Sequence, residues 1–183
     1  MAKIVAKVYS DALFELALEK NELDQVAQEI QVLKDTFAEN TDLLQYLNHP
    51  KVSNEEKIQT IETIFKERFS DTTVGFLVIV VTKNRYNEID AIIEYFLEEV
   101  REYRKIGKAS VTSATALTDE QKQKIEAKLL GSTDYVEFIM EYIIDPSIIG
   151  GLIIRIGDRI VDSSIKSKIE VMKKDLMKLQ LAN

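Results

Sequence analysis

The hydrophobic period of this chain changes once along its length, and that change limits what it can fold into. In the first 105 residues apolar side chains recur three and four positions apart. Leu23, Val26, Ile30, Leu33 and Phe37 form one such set, and Ile89, Ile92 or Ile93, Phe96, Val100 and Tyr103 form another. This spacing puts each set on one stripe of an α-helix, and each stripe needs a neighbour to cover it. Later the period falls to two: in "VEFIMEYIID" Val136, Phe138, Met140, Tyr142 and Ile144 are apolar or aromatic at alternate positions. That is the pattern of a strand with one buried face. The expected class is α+β, helices first and a small mixed domain second.

Local signals divide each part further. Ile4 to Lys20 reads as a leading helix, "DLLQYLNHP" as a short helix stopped at Pro50, and Thr72 to Lys83 as an apolar helix. In "SNEEKIQTIETIFKERF", Ser53 and Glu56 have capping-box spacing ahead of Ile58, Ile61 and Phe65. The tally is six helices joined by short loops, most economically a six-helix bundle over residues 1–105. Gly107 is expected to end the helical stripe. Residues 106–183 then read β-α-β-β-β-α: a strand in "SVTSATALT", a helix capped by Thr118 and Gln121 and carrying Ile125 and Leu129, and the alternating strand above. A hairpin follows, then a closing helix with Ile165, Ile169, Met172, Leu176 and Leu179 as its stripe.

With 45% hydrophobic and 30% charged residues the chain has the composition of a soluble globular protein. Its longest apolar run, "FLVIVV", is far short of the roughly 20 residues that cross a bilayer. No direct membrane insertion is expected, and the first residues resemble neither a secretory signal nor a transit peptide. The net charge of −7 falls wholly in the first part, where 20 acids face 13 bases; residues 106–183 carry eleven of each. Acidity of this kind repels phosphate backbones, so no nucleic-acid partner is expected, and a basic or neutral protein surface suits it better.

Chemistry has few candidates. With no cysteine and one histidine, thiolate zinc sites, Cys-His nucleophiles and two-histidine metal sites are excluded. His49 stands in a helix-ending turn. Glu55 with Glu56, and Glu98 with Glu99, point about 100° apart on polar faces, unsuited to paired acid–base work. The segment "DPSIIGGLIIRIGDRIVDSS" holds three of the six glycines and raises the question of a phosphate loop. Such a loop needs converging backbone N–H groups at a helix N-terminus, whereas Leu152, Ile153, Ile154 and Ile156 fill the space between the glycines and no helix follows Gly157. A hairpin turning at Gly157-Asp158 accounts for more, with Ile156 opposite Arg159, Ile154 opposite Val161, Gly150-Gly151 as a bend and Ser163 or Ser164 capping the last helix. Neither a catalytic residue nor a cofactor or metal site is expected.

Binding has better candidates. In the leading helix Val5, Tyr9, Ala12 and Leu16 form a stripe, Ala6, Leu13 and Ala17 broaden it, and Phe14 and Leu18 lie nearly opposite. That arc is wider than one-sided packing uses, and the Thr72 to Lys83 helix is apolar nearly all round. Either both helices lie centrally in their own bundle, or they flank a groove for an amphipathic helix from another protein; Tyr9 and Tyr103 lie on helical stripes, where core packing is the default.

Several stretches resemble the delta subunit of the F-type ATP synthase, the bacterial counterpart of the mitochondrial oligomycin-sensitivity-conferring protein. They are "YSDALFELA", "HPKVSNEEK", "FLVIVVTKNRYNEI" and, most specifically, Asp145, Ile148, Gly150, Gly151, Leu152, Ile154, Arg155 and Gly157 of the family signature, followed by "DRIVDSSIKSKIE". One departure is Ser163, where many members have glycine.

The resemblance implies a non-catalytic stator subunit in a hetero-oligomeric complex, peripheral on the cytoplasmic face of a bacterial cell membrane. It implies that residues 1–105 bind the N-terminal helix of an alpha subunit in a groove between the first and fifth helices, lined by Tyr9, Ala12, Leu13, Leu16, Phe76, Ile79 and Val80. It also implies that residues 106–183 meet the C-terminal ends of the peripheral-stalk b subunits. A free-standing nucleotide enzyme and a helical RNA-binding antitermination-type factor are the alternatives, and neither accounts for the signature.

Overall fold

Two consecutive units, Met1–Arg101 and Glu102–Asn183, make up the chain in a computed structural model that describes residues 2–49 and 51–181. Pro50, expected to stop a helix, lies outside the described residues. The first unit holds α1 (Ala2–Glu19), α2 (Leu23–Glu39), α3 (Thr41–Asn48), α4 (Asn54–Phe65), α5 (Asp71–Thr82), a 3-10 turn at Tyr86–Glu88 and α6, which spans Ile89–Tyr103. Local chemistry accounts for the starts of two of these. At α4, Ser53 Oγ accepts from Glu56 N–H at 3.2 Å while the Glu56 carboxylate accepts from Ser53 N–H at 3.0 Å, a complete capping box. At α5, Ser70 Oγ accepts from Thr73 N–H at 3.3 Å.

The heptad-like stripes read from the sequence converge on one core. Leu13 and Ala17 of α1 join Val26, Ile30, Leu33 and Phe37 of α2, Ile61 and Phe65 of α4, Leu77, Val80 and Val81 of α5, and Ile92, Ile93, Phe96 and Val100 of α6. Phe14 meets Phe96 edge-on at 6.5 Å between ring centroids, a preferred aromatic geometry. Tyr103, expected on this stripe, is largely exposed instead, as the last residue of α6.

The second unit runs β1 (Ile106–Ser113), α7 (Asp119–Ser132), β2 (Glu137–Ile144), a 3-10 turn at Pro146–Ile148, β3 (Leu152–Ile156), β4 (Arg159–Asp162) and α8, Ile165–Leu181. Thr118 and Gln121 form the capping box of α7. The sheet order is β2-β1-β3-β4, with β1 parallel to β2 and antiparallel to β3, and β3 antiparallel to β4. Gly107 does not end the helix. Lys105, at φ 55°, breaks the chain direction, and Gly107 lies buried inside β1 where the Phe138 ring leaves no room for a Cβ.

A small core forms where α7 covers the sheet: Ala109, Leu129 and Phe138, backed by Ile125, Leu130, Met140, Ile154 and Ile156. The alternation in β2 has the expected phase, but Val136, which precedes the strand, and Ile144, its last residue, remain largely exposed. In α8, Ile165, Ile169 and Met172 are likewise exposed, and the side chains of Leu176 and Leu179 lie outside those described.

Candidate partner-binding groove

Between α1 and α5 the first unit opens a groove of about 320 Å³. Val8, Tyr9, Ala12, Leu13 and Leu16 line it from α1, and Gly75, Phe76 and Ile79 from α5, while Lys20, Asp71 and Thr72 form its polar end. The groove exists because small residues stand where bulk would close it: Ala12 is exposed, and a Cβ added at Gly75 would meet nothing within 4 Å. Ile79 keeps 53% of its surface exposed and Leu16 38%, an aliphatic area without a covering element among the described residues.

Of the seven residues carried over to this groove, Tyr9, Ala12, Leu13, Leu16, Phe76 and Ile79 are brought together. Val80 is not: it is 1% exposed and belongs to the core. It packs there with Leu77 and Val81 of the same helix, on the side turned into the bundle. Val8 and Gly75 were missed by sequence reasoning, although each stands four residues before a named lining residue, Ala12 and Ile79, on the same helical face.

Hydrogen bonds hold the polar end of the groove. Thr72 Oγ1 accepts from Lys20 Nζ at 3.0 Å and donates to Glu22 Oε2 at 2.8 Å, tying the start of α5 to the turn after α1. Behind it, Glu29 of α2 accepts from the Ser70 backbone N–H at 2.9 Å, Ser70 Oγ at 2.7 Å and Thr73 Oγ1 at 2.5 Å. Burial alone would push the Glu29 carboxyl up, but the combined bonds from Thr73, Ser70 and Gln25 outweigh it and hold the group below its usual range.

The signature residues build a turn structure in the second unit. Asp145 accepts from Ser147 N–H at 2.9 Å, which caps the 3-10 turn; the Ser147 side chain foremost, and this N–H with it, lower the carboxyl pKa, and Ile148 is buried. Gly151, at φ 81°, lies so close to the Ser163 carbonyl that a Cβ would clash with backbone, while Gly150 lies against Ile165. Leu152, Ile154 and Arg155 are in β3, and Arg155 Nε donates to the Gly157 carbonyl at 3.1 Å. The hairpin register sets Ile154 opposite Val161 and Ile156 opposite Arg159, with Gly157 at φ 54° in the turn. Ser163 has no need of glycine's freedom: its φ is not positive, and its N–H and Oγ both donate to the Leu152 carbonyl, at 2.9 and 2.8 Å. Ser164 caps α8, its Oγ accepting from Ser167 N–H at 3.2 Å. These glycines serve a bend and a hairpin rather than a phosphate cradle.

Elsewhere the chemistry-bearing side chains stand apart. His49 Nδ1 accepts from Lys51 N–H at 3.3 Å, and Glu55 is exposed. No group of three metal-ligating side chains occurs among the described residues, and no helix among them is long and apolar enough to cross a membrane.

Comparison with known proteins gives one consistent result. The family model described as ATP synthase delta (OSCP) subunit matches residues 5–176. A protein named ATP synthase subunit delta from Lachnoclostridium phytofermentans is 54% identical over 181 residues, covering 99% of this chain and 100% of that one. One of the same name from Halalkalibacterium halodurans is 36% identical, over 94% of each chain. Among solved structures, a chain of the Toxoplasma gondii mitochondrial ATP synthase hexamer superposes with a TM-score of 0.67 at 16% identity, covering 94% of this chain and 97% of that chain, a likeness of fold.

Proposed function

The chain belongs to the ATP synthase delta (OSCP) subunit family, part of the peripheral stalk of the F-type ATP synthase, and on that premise we propose that it is a non-catalytic adaptor whose α1–α5 groove takes the N-terminal helix of the alpha subunit. The observation that carries this reading is the groove itself, apolar, open and floored by Ala12 and Gly75. An amphipathic helix laid there would cover Leu16, Ile79 and Val8 in the helix-in-groove mode. The six helices of the first unit are read as one bundle whose groove stands open for this docking. Rotor torque on the head must be resisted without slip, which calls for tight apolar contact rather than a reactive site.

The second unit is read as the end that meets the b subunits of the stalk, on the cytoplasmic face of the cell membrane. Its support is the apolar surface its own small core leaves out, Ile165, Ile169 and Met172 on α8 among it. Family membership displaces the antitermination and nucleotide-enzyme alternatives.

The test is a calorimetric titration of the full chain with a synthetic peptide of the cognate alpha-subunit N-terminus, beside Ala12→Asp. Ala12 is exposed, so the variant should fold normally. Docking would desolvate the new carboxylate at a cost of about 1–3 kcal/mol or more, weakening binding at least about tenfold. Equal binding by both proteins overturns the groove assignment.

A further inference from the structure

The rotation of α5 about its own axis is poorly specified by its sequence. Val74, Phe76, Leu77, Val80 and Val81 are all buried, and Ile79 beside them is aliphatic too. Hydrophobic burial is non-directional, so a helix apolar nearly all round gains almost as much with Val80 outward and Ile79 inward as in the reverse arrangement. The groove nevertheless depends on one setting, the one that turns Gly75 and Ile79 toward it. Directional contacts to α5 are concentrated in its first turn. The carboxylate of Glu29, a residue only 8% exposed, is oriented by Gln25 Nε2 at 2.9 Å and takes Ser70 N–H, Ser70 Oγ and Thr73 Oγ1 together. Thr73 is fully buried, so any rotation of the helix would strip a buried carboxylate and a buried hydroxyl of their partners.

We propose that Glu29 is a positioning residue for partner binding: held to Ser70 and Thr73, it fixes the rotation of α5 and so decides which side chains the groove presents to the docked helix. This deepens the docking reading above and rests on it. Thr72, bonded to Lys20 and Glu22, supports the same setting from the next residue.

The chain has no cysteine, so single cysteines at positions 79 and 80 of the full chain report rotation cleanly through their rates of modification by a small maleimide. With Glu29 present, Ile79→Cys reacts at least a hundredfold faster than Val80→Cys. In the Glu29→Gln background the thiol at position 79 slows several-fold while that at 80 accelerates. Lost stability alone cannot produce the slowing, because global opening only raises reactivity. Thr73→Val, nearly the same shape without the hydroxyl, shifts the rates in the same sense, and Thr73→Ser restores the original contrast. The alpha N-terminal peptide binds Glu29→Gln and Thr73→Val at least tenfold more weakly than the parent, and binds Thr73→Ser like the parent.

Unchanged thiol rates in folded Glu29→Gln and Thr73→Val overturn the proposal even if their melting temperatures fall. Shifted rates in a protein whose parent binds no peptide leave the positioning role standing and remove the docking reading. If Glu29→Gln does not fold, the Thr73 pair decides by the same criteria.

Discussion

Ile79 provides the sharpest quantitative consequence of the groove. Fully burying such a side chain contributes about 1.5–3 kcal/mol. Since 53% of Ile79 is still exposed in the free chain, a docked helix covering the rest gains roughly half of that, about 0.8–1.6 kcal/mol. Ile79→Ala forfeits most of this gain and should weaken alpha-peptide binding about four- to fifteenfold. The free fold should lose about 0.7–1.4 kcal/mol, the share of this burial already made within the first unit. Val32, on α2, provides a matched control: it too is 53% exposed, but it lies outside the groove. Val32→Ala should bind like the parent. Isothermal titration calorimetry on the three proteins reads the comparison directly. Equal loss in Ile79→Ala and Val32→Ala, or none in either, refutes the reasoning.

Other consequences concern the fold. Phe96, fully buried against Phe14, should cost about 3–5 kcal/mol when replaced by alanine, read from urea denaturation. Ile149 holds φ 69° with its side chain largely in solvent, a strained setting for a β-branched residue, so Ile149→Gly should raise stability by about 1 kcal/mol in the same assay. Glu29 has a folded pKa below its unfolded value, so its stabilisation is fully present above the unfolded value and is lost as pH falls through the folded one. Below about pH 5 the parent should therefore lose stability more steeply than Glu29→Gln, and parallel pH profiles would contradict the bonding described for this carboxylate.

Where the chemistry is local, the sequence was readable. Ser53-Glu56 and Thr118-Gln121 sit in the capping boxes expected of them, and the Gly157 turn sets the hairpin register of Ile154 against Val161, because these partners lie only three to seven residues apart. Six of the groove residues lay on helices whose excess of apolar surface was visible beforehand. Val80 was misassigned because α5 has almost no polar face to mark its rotation, and the groups that mark it, Glu29 and Glu22, stand some 40 to 50 residues earlier in the chain. Gly107 was misread for a related reason: the residue that demands a glycine there is Phe138, on the paired strand β2. Val136 and Ile144 have the right alternation but stand before and at the end of β2, and periodicity does not record where a strand's cover stops.

The central claim, that the α1–α5 groove is covered by the catalytic head, is tested most directly by thiol footprinting in the assembled ATP synthase. Single cysteines at Leu16, Ile79 and Val32 in the otherwise cysteine-free chain should all react with maleimide when the subunit is free. On assembly with the head, the thiols at 16 and 79 should become protected by at least about tenfold while that at 32 keeps its rate. A thiol at 79 that reacts as fast in the complex as in the free subunit would contradict the account.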